Sequence, residues 1–137
     1  MAGITAALLL PPEWPDEIRE PLLGVGIALM AVGLWLVFWA YRSLGPSFSP
    51  FPQPTRDGER TETGPYRFAR HPMYGGGLLF FTGLSLTFSV AALVVTVALA
   101  VLWRGKSAVE ERLLSKRFPD YETYRRRTPS RFLPRIY

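Results

Sequence analysis

The chain of 137 residues contains no cysteine and a single histidine, His71. Without cysteine it has no disulfide, no thiolate nucleophile and no cysteine-ligated metal of its own. One histidine argues against a zinc site built by the protein, because such sites draw on several His or Cys ligands, and no metal is expected. Charge is missing as well, since the 31 residues from Met73 to Trp103 pass without Asp, Glu, Lys or Arg. A stretch of that kind belongs in lipid rather than on a water-facing surface. With 48% hydrophobic residues and a net charge of +5, the composition fits one small membrane domain and leaves no room for a separate soluble one. The expected partners are the bilayer and a lipophilic substrate, with no nucleic acid, and nothing in the pattern fixes an oligomeric state.

The uncharged run is too long for one ordinary crossing. As a single helix it would extend about 46 Å, against a hydrocarbon core of about 30 Å, and tilt alone would have to exceed its usual limit of about 40°. The run is therefore expected to double back as a hairpin. Ser85, Thr87 and Ser89 mark where it turns, and the second arm continues past Trp103 to Glu111. Charge placement gives an independent check, because Lys and Arg stay on the cytoplasmic side. Before Leu22 a lone Arg19 faces Glu13, Asp16, Glu17 and Glu20, whereas Arg42 to Pro72 holds five arginines and the chain from Arg104 onward holds ten Lys and Arg. Three spans satisfy that asymmetry and two violate it.

The expected architecture is all-α, an integral membrane bundle of about three transmembrane helices. An N-terminal segment (1–21) lies outside, followed by a span (22–41), a cytoplasmic loop (42–72), a helical hairpin (73–111) and a basic cytoplasmic tail (112–137). The apolar stretch Ile4 to Leu10 is too short to span and lacks the pattern of a secretory signal. It reads as a partial helix or interfacial segment ended by Pro11-Pro12. Pro46, Pro50, Pro52 and Pro54 with three glycines resist helix in the loop, and Phe48 and Phe51 give that loop something to bury. A compact chain without targeting signals is expected in a bacterial or archaeal inner membrane.

Chemistry gathers at the margins of the uncharged run. Pro72 suits the first position of a helix and biases His71 toward an extended conformation. His71 then stands at a helix entrance, where open amides and the dipole hold an anionic group, and Arg70 adds full charge. Gly75, Gly76 and Gly77 each weaken a helix by roughly 1 kcal/mol relative to alanine. That makes sense where a ligand approaches the backbone, and packing against another helix explains it equally. Beyond the run, Arg104 and Glu111 share one helical face, while Lys106 and Glu110 form an i, i+4 pair. One acid is therefore a structural partner and Glu111 the better candidate for a ligand contact, with an ordinary charged helix end in the headgroup zone as the alternative. Phe118, Tyr121 and Tyr124 interrupt the basic tail, which either anchors to anionic lipid or folds back as a lid.

Gly64-Pro65-Tyr66, then Arg70-His71-Pro72-Met73-Tyr74, a membrane hairpin, Glu110-Glu111, the tail aromatics and Arg131-Phe132-Leu133-Pro134 together resemble the isoprenylcysteine carboxyl methyltransferase and phospholipid methyltransferase superfamily over about residues 44–134. The resemblance implies an S-adenosylmethionine-dependent membrane methyltransferase whose cofactor pocket is built by the C-terminal half. It implies Arg70, His71, Tyr74 and Glu111 as cofactor contacts, Gly75 and Gly77 as matches to the glycine pattern, and Tyr66, Tyr124 and Arg131 as further contributors. The N-terminal part is shorter than in the eukaryotic carboxyl methyltransferases.

The residue chemistry agrees, since the cofactor needs an acid for its ammonium, a base or helix start for its carboxylate, and aromatic faces for its sulfonium and adenine. An amine or hydroxyl acceptor needs a general base, for which His71 or Glu110 serves, whereas a carboxylate acceptor would be oriented by Arg104. Two other readings stand beside this one. One is a membrane reductase using NADPH, as sterol reductases are similar in their C-terminal halves. The other is a non-enzymatic basic protein that recruits anionic lipid or a partner.

Overall fold

The computed structural model describes residues 14–44 and 62–136. Among them the regular structure is entirely helical: α1 (Asp16–Leu44), a 3-10 turn (Gly64–Arg67), α2 (Pro72–Phe88), α3 (Val90–Arg117) and α4 (Tyr121–Arg127). The proline-rich stretch and the Ile4 to Leu10 segment lie outside the described residues.

Helix α1 starts six residues before the expected Leu22. Asp16 and Glu17 sit in its first turn, where negative charge complements the dipole, so acids that read as a water-facing leader instead begin the helix. At the other end of the bundle, α3 runs beyond Glu111 to Arg117, with Lys116 and Arg117 in its last turn facing the negative end of the dipole. Helices α1 and α3 are each long and apolar enough to cross a membrane. Helix α2 has 17 residues, about 26 Å, slightly under the usual hydrocarbon thickness of about 30 Å.

The uncharged run does double back, and one residue turns it. Ser89 has extended backbone (φ −166°, ψ 146°) between α2 and α3. Its N–H donates to Ser85 O at 3.0 Å, closing α2, and its hydroxyl accepts from Ala91 N at 3.1 Å, opening α3. One serine thus caps both helices, a contribution of about 1 kcal/mol at the α3 end. Neighbouring hydroxyls are satisfied internally as lipid requires. Thr96 Oγ1 donates to Phe81 O at 3.1 Å and meets Ser85 Oγ at 2.9 Å, which ties the two arms together below the turn.

Helix α2 packs on α1 on one side and α3 on the other. Glycines bring its backbone close to that of α1. Gly26 and Gly33 on α1 oppose Gly83 and Gly76 on α2, so the helices run antiparallel, and a Cβ at Gly33 would lie 2.6 Å from Phe80 N. Heptad spacing on both sides keeps the small residues facing each other, which lets backbones approach where lipid offers no hydrophobic drive. The outward faces are apolar: Leu34, Trp35, Phe38, Val94, Val97 and Val101 are all more than half exposed. Surfaces of this extent are suited to lipid.

Candidate functional site

The hairpin brings the start of α2 beside the far part of α3. Pro72 occupies the first turn of α2, with His71 as N-cap at φ −129° and ψ 61°, short of the fully extended backbone expected before proline. His71 makes no side-chain cap, and its ring turns instead toward the paired acids. His71 Nε2 lies 3.1 Å from Glu111 Oε1, and His71 Nδ1 lies 3.4 Å from Glu110 Oε2. Arg70 Nη1 is 3.4 Å and Arg131 Nη2 3.5 Å from Glu111. Tyr74 OH donates to Glu110 Oε1 at 2.6 Å, and Lys106 Nζ stands 3.9 Å from the same oxygen.

His71, Glu111 and the Arg70 side chain are nearly inaccessible, at 8%, 6% and 7% exposure. Burial alone would lower the imidazole pKa, but hydrogen bonds to Glu110 and Glu111 and their charge outweigh it and raise it above its ordinary 6.5. With a carboxylate at each nitrogen, the protonated ring donates in both directions. Two acids therefore meet four cationic groups: a buried ionic cluster rather than an ordinary solvated helix end.

An aromatic wall stands against this cluster. His71 and Tyr74 stack at 5.6 Å with planes 8° apart, and Tyr74 stacks on Trp103 at 5.6 Å and 15°. Phe132 meets His71 and Tyr74 edge-on at 6.3 and 6.2 Å, and Lys106 Nζ lies 5.4 Å from the Tyr74 ring centre. Gly75 and Gly77 belong to the same assembly, where their missing Cβ atoms admit the Phe132 carbonyl and the Trp103 ring; Gly76 admits α1.

The tail folds back over the site. Tyr121 and Tyr124 are buried and are not lipid anchors; Tyr124 OH donates to Tyr66 O at 2.7 Å. Burial pushes the Tyr66 phenol upward in pKa, so it stays neutral. After α4, a strap of residues 128–136 pairs with the entrance of α2: Arg70 N donates to Ser130 O at 3.0 Å and His71 N to Arg131 O at 2.7 Å. Those bonds set Arg131 and Phe132 against Glu111 and His71.

Of the residues singled out in the sequence, Arg70, His71, Tyr74, Glu110, Glu111 and Arg131 meet directly, and Tyr66 and Tyr124 support them through the tail. Arg104 stands exposed on α3. Trp103 and Phe132 were not expected as site residues. Both had a sequence signal: Trp103 is the last residue of the uncharged run, and Phe132 lies in the terminal Arg131-Phe132-Leu133-Pro134 motif.

Comparison of the sequence with known proteins places the chain in a family. The nickel-cobalt-cadmium resistance protein NccN of Alcaligenes xylosoxydans xylosoxydans is 38% identical over 131 residues, covering 90% of this chain and 55% of its own length. The cobalt-zinc-cadmium resistance protein CzcN of Cupriavidus metallidurans is 30% identical over 126 residues, covering 90% and 52%. The chain thus spans about half the length of these curated relatives. The phospholipid methyltransferase profile matches residues 22–121, which takes in most of α1, the α2 entrance, the hairpin and the paired acids. The chain belongs to the phospholipid methyltransferase family, a membrane methyltransferase family within the isoprenylcysteine carboxyl methyltransferase-like superfamily.

Proposed function

We propose that the chain transfers a methyl group from S-adenosylmethionine to a lipophilic acceptor at the cytoplasmic surface of a prokaryotic inner membrane, with its N-terminus outside and its C-terminus in the cytoplasm. The acceptor is a prenylated-cysteine-like carboxylate, a phospholipid amine or a similar group. The observation that carries this reading is the meeting of Glu110 and Glu111 with Arg70, His71 and Tyr74 at the mouth of a helical hairpin.

The donor set fits the cofactor. Glu111 is the acid for an ammonium, Arg70 and the amides opening α2 suit a carboxylate, and Tyr74 and Trp103 offer electron-rich faces to a sulfonium or a purine. Gly75 and Gly77 keep the backbone of α2 close to these faces, while Tyr66, Tyr124 and Arg131 hold the tail in register. When bound, S-adenosylmethionine supplies an electrophilic methyl group on sulfur. The residues supply alignment and exclusion of water, and alignment can contribute roughly 7–11 kcal/mol in ideal cases. Glu110, within reach of Tyr74 OH and His71 Nδ1, takes the proton from an amine or hydroxyl acceptor. Arg104, on the exposed side of the same helix, orients an anionic acceptor.

Calorimetry on the full chain in detergent tests this reading. S-adenosylmethionine should bind saturably and lose affinity in Glu111→Ala. Well-folded protein that binds no S-adenosylmethionine, or binds NADPH in its place, would sink the proposal.

A further inference from the structure

Glu111 has more positive charge around it than one carboxylate needs. His71 Nε2 and Arg70 Nη1 both face its Oε1, at 3.1 and 3.4 Å, and Arg131 Nη2 donates to its Oε2 at 3.5 Å. These three cationic groups are not equivalent. The Arg70 and His71 side chains are buried, and withdrawing either from the carboxylate would strand a charge without compensation. Arg131 is 19% exposed, its bond to Glu111 is longer than the usual hydrogen-bond range, and it reaches Glu111 from the strap rather than from a helix. It can turn to water without stranding a buried charge, because Glu111 keeps the other two partners.

Arg131 also stands in the way of a ligand. On the reading proposed for this chain the ammonium of S-adenosylmethionine needs Glu111, yet that residue is 6% exposed and both of its oxygens are covered. Oε1 is shared by two buried groups, so Oε2 is the oxygen that can be vacated. Exchanging a guanidinium for an ammonium there replaces one positive charge by another and leaves the balance at the carboxylate unchanged. The strap itself can stay in place. Ser130 O accepts from Arg70 N at 3.0 Å and Arg131 O from His71 N at 2.7 Å, and the next side chain, Phe132, is buried. With the backbone anchored on both sides, the guanidinium alone has to move.

We infer that the Arg131 guanidinium is a built-in competitor of the methyl donor: it occupies the ammonium position on Glu111 in the free chain and swings out to water when the donor binds. The inference rests on the methyltransferase reading. A site that is open for only a fraction of the time binds with an affinity lowered by that fraction. Arg131 therefore sets how much donor must be present before the site fills, and keeps Glu111 paired while the site is empty.

Calorimetry with S-adenosylmethionine on the full chain in detergent compares the wild type with Arg131→Met, which keeps an unbranched side chain and removes the charge. The variant should bind the donor about fivefold or more tightly, while its unfolding temperature without donor falls. A residue that only props the strap, or one that contacts the bound donor, gives affinity that falls together with stability; that result, or an unchanged affinity, would overturn the inference. In Arg131→Ala, millimolar methylguanidinium should weaken donor binding and raise the unfolding temperature, relative to sodium at equal ionic strength, and do neither in the wild type. The wild-type chain gives a check that needs no variant. Modification of Arg131 by phenylglyoxal, read by peptide mass, should accelerate when S-adenosylmethionine binds, with Arg126, 81% exposed, as the unchanged control. Protection of Arg131 by the donor would overturn the inference. Wild-type protein that binds no S-adenosylmethionine removes the methyltransferase reading and the inference with it, whereas wild-type binding with weaker binding in Arg131→Met removes the inference alone.

Discussion

Glu111 is the residue on which the site turns, because Arg70, His71 and Arg131 all converge on its two oxygens. Removing one partner of a buried ionic group leaves the others uncompensated, at about 3–5 kcal/mol. Glu111→Ala should therefore destabilise the protein by that order as well as weaken cofactor binding, which thermal unfolding in detergent will show. Substitution at the exposed Glu122, by contrast, should leave unfolding almost unchanged. His71 makes the cluster pH-dependent in a definite direction. Its pKa is raised in the folded protein, so its contribution is complete below the unfolded value near 6.5 and fades as pH rises through the raised one. Stability should decline as pH rises above about 6.5 toward the raised value, and His71→Gln should flatten that slope. A slope unchanged by the substitution would place the titrating group elsewhere.

At the scale of the element, the contact of α1 with α2 decides whether α2 has a fixed place from which to present its entrance. Glycine is required at some positions and merely tolerated at others. A Cβ at Gly33 would lie 2.6 Å from Phe80 N, a backbone atom that cannot step aside, while a Cβ at Gly24 meets nothing within 4 Å. Gly33→Ala should cost about 1–3 kcal/mol through overpacking, whereas Gly24→Ala should be neutral or gain up to about 1 kcal/mol from helix propensity. Parallel melts of the two variants give the comparison, and equal effects would mean that α1 and α2 do not pack through this face. The sequence flagged three glycines, at 75 to 77, as room for either a ligand or a helix. Gly76 faces α1 and its neighbours face Phe132 and Trp103, a division of labour within one turn that depends on the rotation of α2 about its axis.

Over the whole molecule, orientation in the membrane follows from where the cations end up. Arg126 is 81% exposed on α4, and the chain has no native cysteine, so Arg126→Cys gives a unique handle. An impermeant thiol reagent should label it in inverted vesicles and fail to do so in intact cells; the reverse pattern would invert the topology.

What the sequence alone determined is the doubling back of the chain, because 31 uncharged residues exceed one bilayer thickness and lipid excludes the alternatives. The helix start at Pro72 was legible from backbone chemistry, while the break was legible only as the stretch holding Ser85, Thr87 and Ser89, within which the structure places it at Ser89. Only the tertiary structure decided that Tyr74 reaches Glu110, that Phe132 returns to lie edge-on against His71, and that three cations converge on Glu111. Those contacts join residues between 20 and 61 positions apart, as with Arg131 and Glu111 or His71 and Phe132. Their partners follow from the relative rotation and register of packed helices and a folded strap, quantities that no local pattern of polarity encodes.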